Sequence, residues 1–187
     1  MDRFSYLSVL ISIILGLGIT QLVTGLGRLI QARHRVRLYW PSVVWTGILL
    51  LIHVQTWWSM FGLRNQSDWT FAQFFVVLLQ PIVLSLLAAL VLPDINADRD
   101  ADLRESYYMQ SRWFFSLMLL LLVVSLVKDL VLSGSLPVPM NVAAHGLFMA
   151  LAVGGVATRR EWYHHMMAPA MLALMLAYIA VLFARLQ

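Results

Sequence analysis

Long apolar stretches separated by short polar runs set the pattern of this chain. Six of them, at about 4–30, 41–63, 69–92, 107–132, 138–158 and 163–185, reach the roughly 20 residues that a helix needs to cross the hydrocarbon core of a bilayer. Within lipid each segment must satisfy its own backbone polar groups, so the segments are expected to be helical. The pattern predicts an all-α fold: a polytopic membrane bundle of six transmembrane helices forming a single transmembrane domain, 1–187. The longest polar connection is 93–106, reading PDINADRDADLRES. The first stretch is longer than the core of a signal peptide, about 7–15 residues, and its charges follow it, so it is expected to be a retained span.

Charge orients the bundle. Arginines crowd the first connection (Arg28, Arg33, Arg35, Arg37) and recur at Arg99, Arg104, Arg112, Arg159 and Arg160, which alternation puts on the same side. Of the 13 basic residues only Arg3, Arg64, Lys128 and Arg185 fall on the other side. Cytoplasmic loops are the arginine-rich ones, so both termini are expected outside, and a bacterial inner membrane is the expected location. Tryptophans and tyrosines near the segment ends, among them Trp40, Trp45, Trp57, Trp58, Tyr107 and Trp162, are expected to anchor in the head-group region. Lys128 is expected to snorkel to the outer interface, and the interfacial pair His164 and His165 is assigned no chemistry.

Composition agrees with the pattern: 61% of residues are hydrophobic and 12% charged. Mean hydropathy is +0.80. The net charge of +4 comes from arginines at membrane edges and is not the footprint of a nucleic-acid binder; the expected environment is the lipid bilayer. The absence of cysteine excludes disulfides, thiolate metal sites and a cysteine nucleophile. No hydrolase triad, phosphate-binding glycine loop or HExxH spacing is present, which points away from an enzyme.

Two stripes of small residues are expected to be helix-packing seams: Ser8, Ser12, Gly16, Thr20 and Thr24 in the first span, and Ala170, Ala173, Ala177, Ala180 and Ala184 in the last. Polar groups at membrane depth are the candidate functional residues, because burying them without partners is costly. They are Thr20 and Gln21, His53, Gln80 beside the mid-span Pro81, and Asn141 with His145 one turn later. With a rise of about 1.5 Å per residue, His53 lies on the order of 15 Å, and His145 about 10 Å, below the outer ends of their spans. Two histidines at similar depth suit the lining of a polar cavity, a proton relay or the axial ligation of a haem.

In the acidic connection Asp94, Asn96, Asp98, Asp100, Asp102 and Glu105 occupy the ligand places of an EF-hand-like calcium loop. Arg99 stands where the sharp turn of that loop wants glycine. The simpler expectation is a solvated loop whose acids favour the start of the fourth helix through its dipole.

Three functional readings follow. The first is an oligomeric channel or transport-related protein with a polar intramembrane cavity, passing a small solute or ion. The second is a haem or electron-transfer protein using His53 and His145. The third is a structural or signalling subunit whose acidic loop recruits a partner or calcium.

Overall fold

Residues 3–66, 68–94 and 101–182 are described in a computed structural model of the chain. The elements are α1 (Arg3–Gln31), β1 (Val36–Arg37), α2 (Trp40–Ser59), α3 (Phe71–Val91), β2 (Ala101–Asp102), α4 (Leu103–Ser133), α5 (Pro139–Ala157) and α6 (Glu161–Leu182), with a 3-10 turn, Met60–Asn65, extending α2. All six α-helices are long and apolar enough to cross a membrane, and the chain is an integral membrane protein of all-α class.

Helix ends follow local chemistry. Pro41 and Pro139 open α2 and α5, where the missing N–H would have no intrahelical partner anyway. Thr70 and Gln73 form a capping box on α3: the Gln73 amide N–H donates to Thr70 Oγ1 at 3.3 Å and the Thr70 N–H to Gln73 Oε1 at 3.0 Å. Asp102 caps α4 by accepting from the backbone N–H groups of Arg104 (2.8 Å) and Glu105 (3.3 Å). That cap starts α4 four residues before the apolar run predicts it. At about 1.5 Å per residue its 31 residues exceed the roughly 30 Å bilayer core, so the helix projects beyond it. Gly134, at φ 70°, ends α4 in the left-handed conformation that glycine adopts without steric cost.

Five helices form a ring. α3 packs on α4, α4 on α5, α5 on α6, α6 on α2, and α2 on α3. α1 lies outside, against α3 and α2, and buries Leu7, Ile11, Leu15, Leu22 and Leu29. This corrects the expected seam: Ser12, Gly16, Thr20 and Thr24 face outward. Ser12 and Thr20 each donate to a carbonyl of their own helix, Ser8 O and Gly16 O, at 2.7 Å. Hydroxyls satisfied within the helix exert no pull toward a neighbour, whereas leucines gain dispersion contacts against α3. In α6 Ala173, Ala177 and Ala180 likewise face outward, and Met167, Met171 and Met175 form the buried stripe; Ala184 lies outside the described residues.

The connections α1–α2, α3–α4 and α5–α6 meet at one arginine-rich end. β1 and β2 pair there in parallel, Val36 opposite Ala101 and Arg37 opposite Asp102. Ion pairs tie the same end together: Arg28 with Asp94, Arg37 with Asp102 at 3.6 Å, and Arg104 with Glu161 through two bonds of 3.1 and 2.8 Å.

Candidate functional site

The five-helix ring encloses a cavity of about 310 Å³, to which α1 contributes nothing. Each helix lends it one face. In α4, Met118, Leu121, Ser125, Lys128 and Leu132 recur at three- and four-residue spacing, so all point the same way. α5 supplies Asn141, His145 and Phe148, and α6 supplies Met171, Met175 and Tyr178 by the same rule. The inner part is apolar, and the polar groups gather toward the arginine-poor end, where α2 stops and α4 turns into α5.

Among these polar groups Lys128 donates to Gln80 Oε1 at 3.0 Å, with an Asp129 carboxylate oxygen 3.9 Å from its nitrogen. Lys128 therefore turns into the bundle, against the expectation that it snorkels. Its side chain is only 17% exposed, because Gln80, beside the proline of α3, offers it an acceptor there. His145 Nδ1 lies 2.9 Å from the Asn141 carbonyl oxygen, which can only accept, so this nitrogen carries the proton. Nε2 is then the acceptor for the Ser125 hydroxyl at 3.2 Å. The Tyr178 hydroxyl donates to Asn141 Oδ1 at 3.1 Å. Thr56, 1% exposed, faces the cavity with a hydroxyl that has no partner.

An aromatic floor closes the cavity toward the arginine-rich end. Trp45, fully buried, meets Phe114 and Phe115 edge-on with ring centroids 5.3 Å apart. Below lies His164, also fully buried, which corrects its expected place at the wet interface. Its Nε2 donates to the Thr158 carbonyl at 2.9 Å, so Nδ1 accepts from the Tyr107 hydroxyl at 2.9 Å. Gly155 lets α5 approach this floor, for a Cβ there would meet the Phe115 ring at 2.7–2.9 Å. Trp45 and Tyr107 are thus core residues, whereas Trp40, Trp57, Trp58, Trp113 and Trp162 keep the exposed positions expected of anchors.

Comparison with protein-family models, curated proteins and solved structures finds no match to this chain. Its function has to be read from the cavity itself.

The candidate residues divide accordingly. Gln80, Asn141 and His145 meet in the cavity; Thr20 and Gln21 are exposed on the outer face of α1 and take no part. His53 is fully buried, but it points into the seam between α1, α2 and α3. Its Nδ1 donates to the Leu49 carbonyl at 2.7 Å, while Nε2 has no hydrogen-bond partner and abuts Gly18. A haem held between His53 and His145 does not fit: one imidazole is walled in by a helix backbone and the other is taken up by Asn141 and Ser125. Of the calcium-loop residues, Asn96, Asp98 and Asp100 lie outside the described residues. Asp94 is paired with Arg28, and Asp102 and Glu105 belong to the start of α4. Among the described residues no group of three or more potential metal ligands occurs.

Sequence reasoning passed over Thr56, Ser125, Asp129 and Tyr178 as cavity residues. A signal existed for one of them: Ser125 stands three residues before Lys128 on one face of an otherwise apolar helix.

Proposed function

We propose that this chain is a transport-related membrane protein that binds a small solute inside a single bundle, in a site reached from the arginine-poor side. The observation that carries the proposal is the inward-turned Lys128 on Gln80, at the polar end of a cavity of about 310 Å³. A lysine is desolvated inside a bundle only at substantial cost, and a functional pathway is the ordinary reason for one to be kept there. Ligand pockets are concave, mainly apolar and fitted with a few convergent polar groups, and this cavity has that make-up at the small end of the size range. The aromatic floor favours binding and release from one side over an open pore. If the arginine-rich end faces the cytoplasm, the site faces outward.

Because the chain has no cysteine, single substitutions give unambiguous labels. Thr56→Cys and Ser125→Cys are expected to react with a membrane-impermeant thiol reagent added from the arginine-poor side of sealed vesicles and to stay silent from the other. Silence from both sides would sink the proposal; reaction from both would replace it with a continuous pore.

A further inference from the structure

We infer that the solute is a small amphipathic carboxylate, of about ten non-hydrogen atoms, whose acid head docks on Lys128 and whose apolar body lies against the inner wall. The inference rests on the binding role proposed above and adds the class of ligand.

The hydrogen-bond inventory of the cavity is lopsided. Lys128 donates one N–H to Gln80 and has two left, since an ammonium carries three donors and no acceptor. The same bond fixes the Gln80 amide: its oxygen must face the lysine, so its NH2 group is a donor without a partner. Asn141 accepts from Tyr178 through Oδ1, which likewise leaves its NH2 group to donate. The Thr56 hydroxyl, buried and unpartnered, can donate as well, or accept. Against these N–H donors the deep site offers one carboxylate, Asp129, which already stands 3.9 Å from Lys128; its other acceptors are neutral hydroxyl and amide oxygens. Gln55 at the rim presents both kinds of group and leaves the balance unchanged. Neither nitrogen of His145 is left over, because one donates to Asn141 and the other accepts from Ser125.

A surplus of donors around one cation is complementary to an acceptor-rich anionic head, and a carboxylate, which only accepts, consumes several of them at once. A primary ammonium would add donors to a site already full of them, and a quaternary ammonium, which has no N–H, would set a second positive charge beside Lys128. The inner wall, including Ile48, Val77, Leu121, Met171 and Met175, carries no charged group, and its one buried polar atom is the indole N–H of Trp45. Size sets the length. At about 30 Å³ for each water-sized group, 310 Å³ holds roughly ten. Octanoate has that size.

The test measures equilibrium dialysis of radiolabelled octanoate, octan-1-ol and octylammonium against the full chain in lipid nanodiscs, with empty nanodiscs as the blank. Octanoate is expected to bind at least tenfold more tightly than octan-1-ol, in keeping with a hydrogen bond to a charged group. Lys128→Gln should abolish that margin and leave octan-1-ol unchanged. Should Lys128→Gln fail to fold, Thr56→Val keeps the volume and is expected to lower octanoate affinity about threefold; no change in it would overturn the docking of the head. If octan-1-ol binds as well as octanoate, or octylammonium binds best, the ligand class is wrong while the cavity stands. If none of the three binds, the binding role proposed above falls as well. Hexadecanoate supplied in the bilayer separates the two sources of a carboxylate: tighter binding than octanoate would overturn the size limit and make the ligand a bilayer lipid.

Discussion

Gly18 of α1 and His53 of α2 share one small volume, which makes a double-mutant cycle decisive about how the outer helix is seated. A Cβ on Gly18 would run into His53 Nε2, with Cδ2 at 3.0 Å and Ser85 Oγ at 3.2 Å behind it. The ring has nowhere to go: His53 is fully buried and its Nδ1 is held by Leu49 O, while Ser85 donates to Ile14 O at 3.0 Å and pins α3 to α1. Overpacking of this kind costs about 1–3 kcal/mol. Replacing a helical glycine by alanine returns about 1 kcal/mol through propensity. Gly18→Ala alone is therefore expected to destabilise by up to about 2 kcal/mol. In a His53→Ala background the obstacle is gone, and the same change should be neutral or stabilising by about 1 kcal/mol. The coupling energy, about 1–3 kcal/mol, would be read from reversible unfolding of the four proteins in mixed micelles by titration with a denaturing detergent. Additive effects, within about 0.5 kcal/mol, would refute the placement of His53 in this seam and return it to the list of cavity residues.

Three further outcomes are expected. Gln80→Leu should destabilise by about 1.5–3 kcal/mol, because Lys128 loses its acceptor while keeping its charge, and Lys128→Met should cost less because it removes the charge as well; the reverse order in the same unfolding assay would contradict the inward turn of the lysine. Thr20→Leu together with Gln21→Leu should change stability by less than about 0.5 kcal/mol and leave cavity labelling untouched, since both lie on the outer face of α1. Tyr39, just before α2, has its phenol pushed above the ordinary tyrosine value of about 10, first by burial and then by its bond with Tyr108. The unfolded chain then releases this proton before the folded one does, so the contribution is intact below pH ~10 and is lost as pH rises further; Tyr39→Phe should flatten that alkaline decline in a thermal-melt series.

The spans were legible because about 20 consecutive apolar residues leave the backbone no alternative to a helix in lipid. The early start of α4 was legible in principle too, from Asp102 as cap and Glu105 in the first turn. Helix rotation was another matter. Thr20 and Lys128 are both polar residues in apolar helices, and spacing says which residues share a face without saying which face turns inward. That phase comes from packing: the leucines of α1 fit the outside of the ring, which sends Thr20 away from it, while Gln80 on α3 draws Lys128 in. His53 and His145 show the same gap, for similar depth carried no information about azimuth, and one faces a glycine notch while the other faces the cavity. His164 was misjudged because a histidine near a helix end is cheap to leave wet; Tyr107 and the Thr158 carbonyl, far apart in sequence from each other, had to be brought together before burying it made sense.

The closing of the ring between α2 and α6 bears on biogenesis. At about 5–20 residues per second, α2 waits several seconds for the helix that completes its neighbourhood. During that interval α1, α2 and α3 can already assemble, since leucines facing lipid meanwhile lose little. The half-built cavity is different: without α6, Lys128 and His145 stand at an open flank exposed to hydrocarbon. A chain that has not yet added α6 thus displays intramembrane polar groups, the kind of feature that membrane quality control can distinguish, and docking of α6 both closes the cavity wall and hides that mark.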